Sequence, residues 1–246
     1  MCATILKLAN SAFFGMPRTV ATMDKAVTVL GFNEVHNIVL GKAVFNSFLD
    51  LSFINKLAMD TFWNHSFTCG LAAKILAEDL NCCPSELFIA GLIHDIGKLA
   101  LFHVRPEEYL EILEQTGKNH SHCKEMEIEK VGMDHEQVGI YLLTRWLFPD
   151  TLLSAVGFHH RPEENHTNPL YAAIIQISDI LSLLASPKNE ARDTPLLPQL
   201  LKNLPLGESI WQKNKININE KQLQKWMTSL YKSTEKDSGI LNIFTS

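Results

Sequence analysis

The sequence predicts an all-α fold, a bundle of many helices. Three observations predict it. Apolar residues recur at helical spacing in one segment after another. Those segments open on proline, or on Thr, Asp or Asn in capping position, and several end at glycine or proline. No segment carries the alternating pattern of a convincing strand.

Taken in order, the start, MCATILKLANSAFFG, is apolar but has no basic stretch ahead of its apolar residues, which argues against a signal peptide. Thr22 or Asp24 starts a short helix that Gly31 ends. Asn33 caps the next, whose apolar positions include Val35, Ile38, Val39 and Phe45. A long periodic stretch, about Phe53 to Leu80, holds Leu57, Phe62, Leu71, Ile75 and Leu76. Pro84 suits the first turn of the following helix, where its missing N–H is not needed. That helix contains GLIHDIGKLAL, with Leu92, Ile96 and Leu99 spaced as one buried face. Pro106 opens an acidic surface helix in the same way.

Asp134 and Gln137 outline a capping box. Val138, Leu142 and Trp146 then form a stripe, and Pro149 stops or bends that helix. Another helix runs from about Pro169 to Leu184, and a final amphipathic one, about Glu220 to Tyr231, carries Leu223, Trp226, Met227 and Leu230. Between them, Ser186 to Leu206 contains Pro187, Pro195, Pro198 and Pro205 and reads as a linker. The expected division is a helical domain over 1–186, then a proline-containing linker and a C-terminal helical segment over 187–246 that packs back on the core.

The chain of 246 residues is long enough to bury a sizeable core, and 46% hydrophobic residues is ordinary for a globular protein. A net charge of −5 and a pI near 6.1 provide no basic face, which argues against nucleic acid as a partner. No uninterrupted apolar run approaches the roughly 18 residues of a membrane helix. The five cysteines, Cys2, Cys69, Cys82, Cys83 and Cys123, are odd in number and contain no CxxC pair. They read as reduced thiols of a cytoplasmic protein.

Polar residues interrupt the apolar helices at a few places. His65 lies within the long helix, and His94 and Asp95 sit side by side in GLIHDIGK with Lys98 one turn on. His135 opens DHEQVG, His159 and His160 adjoin in VGFHHRP, and Asp179 lies in the apolar stretch IIQISDILSLL. Each alone reads as an ordinary hydrogen-bonded core residue. Together they point elsewhere, because ionised carboxylates are costly to bury unless paired or metal-bound. Imidazole and carboxylate donors suit zinc, iron, manganese or similar divalent ions. Adjacent helical residues point about 100° apart, so His94 and Asp95 flank one ion only at a helix end or bend, and Gly97 permits such a departure. His36, His103, His120, His122 and His166 stand in polar or loop-like contexts and receive no role.

HDIGK, with an upstream histidine and a distant aspartate, resembles the HD superfamily of metal-dependent phosphohydrolases. The segments LKLANSAFFGMP and MDKAVTVLGFNEVHNIVL, with GMDHEQVGIYLLTRWLFPDTLLSAVGFHHRP and ISDIL later on, resemble the HDOD family, an HD-related output domain of bacterial signalling proteins. The resemblance covers roughly Leu6 to Leu184 and implies an HD-superfamily-like helical bundle. It implies that His65, His94, Asp95 and Asp179 hold one divalent metal ion. It implies that Asp95 bridges to a second ion on His135, His159 and His160, as in the HD-GYP phosphodiesterases. Iron, manganese, zinc and magnesium are not distinguished. Lys98 stands where HD-GYP proteins have a lysine near the substrate phosphate.

Three departures matter. No GYP signature follows HHRPEENHTNP, so cyclic di-GMP hydrolysis is not implied, and Thr61 stands where three-metal relatives carry a carboxylate. HDOD domains also begin a few helices before the LANSA segment, so a shortened start is expected, with an uncovered hydrophobic surface and, from it, homodimerisation or poor stability.

The resulting expectation is a regulatory signalling module with an HD-type metal site and a protein partner. The rival is a phosphohydrolase acting on a nucleotide or cyclic dinucleotide, with Asp95 and Lys98 as its catalytic residues. A plain helical scaffold, and a di-iron oxygenase, complete the alternatives.

Overall fold

The computed structural model describes residues 2–10, 19–48, 56–116, 123–186, 198, 208–214, 216 and 218–245. Among these residues there are helices and turns and no strand. The helices are α1 (Cys2–Ala9), α2 (Met23–Leu30), α3 (Phe32–Ser47), α4 (Lys56–Asp79), α5 (Pro84–Ile93), α6 (Ile96–Val104) and α7 (Pro106–Thr116). They continue with α8 (Cys123–Val131), α9 (His135–Arg145), α10 (Asp150–Gly157), a 3₁₀ turn (Pro162–Glu164), α11 (Pro169–Ala185), α12 (Glu208–Lys213) and α13 (Glu220–Thr245).

Local chemistry accounts for several helix ends. The Thr22 hydroxyl accepts from the Lys25 amide at the start of α2. Gly31 ends α2 at φ 89°, a conformation that favours glycine. The same residue opens α3 directly at Phe32, so Asn33 lies inside the first turn rather than capping it. Asp134 and Gln137 form a complete capping box at α9. Helix α9 ends at Arg145, before Pro149, because Leu147 adopts φ 59°. Trp146 is therefore turned outward, 36% exposed, instead of completing a buried stripe.

One large core joins most of the elements. Leu87 to Ile93 of α5 are all buried, so α5 is the central helix and has no polar face. It packs most closely on α4, where backbone meets backbone. A methyl group on Gly91 would lie 2.7 Å from the Gly70 Cα, and one on Gly70 would lie 2.8 Å from the Phe88 carbonyl. This approach sets His65 of α4 beside the end of α5. Helix α11 crosses both, and Leu223, Trp226, Met227 and Leu230 of α13 enter the same core. The Trp226 indole donates to Asp79 at the end of α4 (3.3 Å). The expected linker falls mostly on 187–207, which lies outside the described residues except for 198, as do positions 11–18 of the N-terminal motif.

Helices α7 and α8 pack on the end of α6. They share a smaller core of Leu101, Phe102, Tyr109, Ile112 and Cys123. No separate helix was expected at 123–131, where apolar residues are sparse.

Residues 84–104 are long and apolar enough, by composition, to cross a membrane. They form two helices rather than one, and 78% of the most apolar window is buried inside the protein.

Candidate metal centre

The helix expected through GLIHDIGKLAL breaks in the middle. His94 ends α5 and Asp95 precedes α6 at φ −98°, ψ 13°, the sparsely allowed bridge region where active-site residues often sit. The break lets two adjacent side chains face one pocket. Leu92, Ile96 and Leu99 are all buried, but on two helices. Gly97 does not make the break. It lies where α6 meets α9, and a methyl group there would sit 2.0 Å from the His135 carbonyl.

All eight residues singled out in the sequence converge. The candidate ligand atoms of His65, His94 and Asp179 lie within 4.8 Å of one another, and so do those of Asp95, His135, His159 and His160. Asp95 stands between the groups. Its Oδ2 is 3.4 Å from His94 Nε2 and 4.0 Å from His65 Nε2. Its Oδ1 is 3.5 Å from His135 Nε2 and 3.7 Å from His159 Nε2. Asp179 Oδ1 lies 3.1 Å from His65 Nε2 and 3.7 Å from His94 Nε2. Lys98 donates to Asp95 Oδ2 at 2.6 Å.

The ring orientations follow from what each Nδ1 touches. The Nδ1–H groups of His94 and His159 donate to the carbonyls of Gly91 and Val156, each at 2.8 Å. A carbonyl cannot donate, so Nδ1 carries a proton, and in the neutral form each ring turns its Nε2 lone pair inward. The Ser182 hydroxyl donates to the Asp179 carbonyl (2.7 Å), which leaves it to accept from His65 Nδ1 (3.0 Å). His135 Nδ1 donates to the Glu127 carboxylate at 2.7 Å. His160 Nε2 then faces His135 Nε2 at 3.1 Å. Within the protein, His94 Nε2, Asp95 Oδ1 and His159 Nε2 are buried with no hydrogen-bond partner. Buried polar atoms are seldom left so. Three such atoms turned to one space, with imidazole and carboxylate donors around it, fit a divalent cation.

A second layer of charge surrounds the cluster, and it had no clear sequence signal. Glu127, Asp134 and Glu136 are fully buried. Glu136 pairs with Lys124 (2.5 Å) and Arg161 (3.3 Å), and accepts from the His160 amide (2.9 Å). Arg161 also reaches Asp134 (3.7 Å) and Glu164 (3.4 Å). This network fastens the loop bearing His159 and His160 to the start of α9.

Protonation follows from the same surroundings. Burial lowers the His94 pKa. Burial, then the neighbouring His159 and His135, lower that of His160 well below the usual imidazole range. For Asp95, burial acts upward but is outweighed by His94 and Lys98, and the carboxyl is held well below its usual range. Asp179 is held down likewise, against its burial, by His65 and His94. His159 moves the other way: burial opposes, but the carboxylates of Asp95 and Glu136 raise it.

For groups with depressed folded-state pKa values, the unfolded chain binds the proton first, so their stabilising contribution is lost on acidification. His94 and His160 weaken the fold as the pH drops below about 6.5, and Asp95 and Asp179 do so below about 4. His159 stabilises in the opposite sense, its contribution being lost as pH rises through its elevated pKa. His160 is displaced furthest and sets the balance, so the melting temperature of the chelator-treated protein falls between pH 7 and pH 5. A flat profile over that range would contradict this balance.

The chain is an all-helical protein whose histidines and aspartates gather in one pocket. Within that class, the chain belongs to the HDOD domain family, whose model matches residues 1–162. The fold is similar to that of a protein from Shewanella amazonensis SB2B named as a presumed phosphohydrolase. That likeness has a TM-score of 0.72 at 22% identity and covers 99% of this chain and 82% of that one. It is also similar to an HDOD domain protein from Geobacter sulfurreducens, with a TM-score of 0.64 at 21% identity, covering 99% and 79% of the two chains. An uncharacterized protein of Treponema pallidum (strain Nichols) is 26% identical over 168 residues, which cover 65% of this chain and 32% of that protein. The chain thus spans about a third of the length of that relative.

Proposed function

We propose that the protein is a bacterial signal-transduction output module, cytoplasmic, whose HD-type pocket holds one or two divalent metal ions and is regulatory rather than strongly catalytic. His65, His94, Asp95 and Asp179 hold one ion. Asp95 bridges to the second, on His135, His159 and His160. The observation that carries this reading is the arrangement around Asp95, whose two carboxylate oxygens serve two sets of inward-turned imidazoles. A signalling protein, or a second copy of the chain, is the partner that reads the state of the pocket through a helix surface.

The regulatory assignment draws support from the cations near the cluster. A phosphohydrolase needs positive groups available to the substrate phosphate. Lys98 faces Asp95, Lys124 faces Glu136 and Asp134, and Arg161 faces Glu136, Asp134 and Glu164. Each is already committed to carboxylates of the protein.

The second reading is a metal-dependent phosphohydrolase acting on a nucleotide or cyclic dinucleotide. It draws support from the bridging position of Asp95 and from Lys98 beside it. Bound divalent ions would supply an activated water and charge for a developing phosphorane. In this reading Lys98 orients Asp95 and presents its ammonium toward the phosphate side.

Metal removal and turnover separate the readings. A metal bound at a hundred times its Kd adds about 2.7 kcal/mol. Chelation is therefore expected to lower the melting temperature by about 5–10 °C. The metal-loaded protein is expected to leave a panel of nucleotides, cyclic dinucleotides and other phosphodiesters intact. Turnover that disappears in Asp95→Ala would establish the phosphohydrolase instead.

A further inference from the structure

We infer that Glu127 is the positioning residue for the His135 side of the pocket, fixing the ring of His135 so that its Nε2 lone pair points inward. The inference rests on the reading of the pocket as a metal site and adds a residue outside the ligand set.

Glu127 lies on α8, in the smaller helical pair, and is fully buried. An ionised carboxylate in that position is costly unless it is fully engaged. Here it receives four donors. Oε2 accepts from both His135 Nδ1 (2.7 Å) and the His135 backbone amide (2.8 Å). Oε1 accepts from the Tyr109 hydroxyl (2.8 Å) and the Cys123 thiol (3.4 Å). The donors come from α7, α8 and α9, so the carboxylate cannot turn without breaking contacts to three helices. By holding the ring and the amide of one residue, a single oxygen sets both the rotation of the imidazole and the start of α9.

The other rings are held differently. His94 and His159 donate to backbone carbonyls, and His65 to the Ser182 hydroxyl. His135 Nδ1 meets a carboxylate at 2.7 Å, whereas Glu136 Oε1 lies 3.7 Å from His159 Nδ1. A carboxylate behind a ligating histidine fixes its tautomer and raises its basicity. The His135 side has only the shared Asp95, whereas the other side has Asp179 as well, so the His135 side gains most from that charge.

The test uses the full chain and zinc, with Glu127→Gln to remove charge at constant shape, Glu127→Ala to remove both, and Asp179→Asn as the variant of the other side. Zinc affinity is read by competition with a chromophoric chelator. Glu127→Gln is expected to loosen the zinc on the His135 side by roughly 10- to 100-fold. The zinc lost in Asp179→Asn should loosen by less, because Glu127 bonds none of His65, His94 and Asp179. Nitrogen-15 spectra of the metal-free histidine side chains give a readout independent of metal. They should place the His135 proton on Nδ1 in the wild type and move it to Nε2 in Glu127→Ala. Wild-type zinc affinity in Glu127→Gln, or an unchanged His135 tautomer in Glu127→Ala, overturns the inference. A wild-type chain that takes no zinc, but whose His135 proton moves in Glu127→Ala, would instead sink the metal-site reading and leave the positioning role intact.

Discussion

Replacing Asp95 with alanine is expected to remove metal from both sides of the pocket at once, with content falling to below about a tenth of wild type. Loss of a bridging ligand differs from loss of any histidine. Oδ2 faces His65 and His94, while Oδ1 faces His135 and His159, so one substitution deprives both groups of their shared anion. The variant also strands Lys98, which lies 2.6 Å from Asp95 with its side chain 14% exposed. Breaking a buried ion pair from one side typically costs about 3–5 kcal/mol. With some solvent access left to Lys98, about 3 kcal/mol is the expected loss in the metal-free protein. Elemental analysis and chelator-treated melting curves of wild type and variant measure the two effects separately. A variant that keeps one full equivalent of metal would show that Asp95 belongs to one side alone.

The second large effect is expected from Gly97→Ala. Its added methyl group would sit 2.0 Å from the His135 carbonyl and 2.8 Å from the carbonyl carbon. Backbone cannot rotate away as a side chain can, so α6 and α9 must separate. Overpacking of this kind costs about 3 kcal/mol or more. The separation would also carry His135 away from Asp95. Gly97→Ala should therefore lose metal on the His135 side before it loses it on the His65 side. Denaturant unfolding and metal titration check both parts. Wild-type stability would mean that α6 and α9 do not lie so close.

The sequence signals for helix ends are local, and where a local interaction decides, the structure agrees with them. Thr22 and Gly31 bound α2, Pro84 opens α5, and Asp134 with Gln137 builds a full capping box. The break between α5 and α6 is different. Helix α5 is buried on every side, so its residues carry no period from which an end could be read. The turn at His94 and Asp95 depends on where α4, α9 and α11 place their own side chains. Likewise the spacing of Val138, Leu142 and Trp146 fits a helix stripe, but Leu147 in a left-handed conformation turns Trp146 outward.

The order of histidines and aspartates, read by resemblance, named the residues that cluster. The groups that orient them were not legible. Two are backbone carbonyls, which exist at every position. Glu127 lies in CKEMEIEKV, where one acidic residue resembles the others until α8 is placed against α9. Gly97 invited an explanation by flexibility, whereas its neighbour in space supplies one by contact.

The central claim is that Asp95 joins two groups of imidazoles around divalent metal. Anomalous X-ray diffraction from crystals grown in manganese, collected on both sides of the metal edge, tests it most directly. The account predicts anomalous density within coordination distance of Asp95, flanked by His65, His94 and Asp179, by His135, His159 and His160, or by both sets. A well-ordered pocket with no anomalous density at saturating manganese, the histidines bonded only to protein and water, would contradict it.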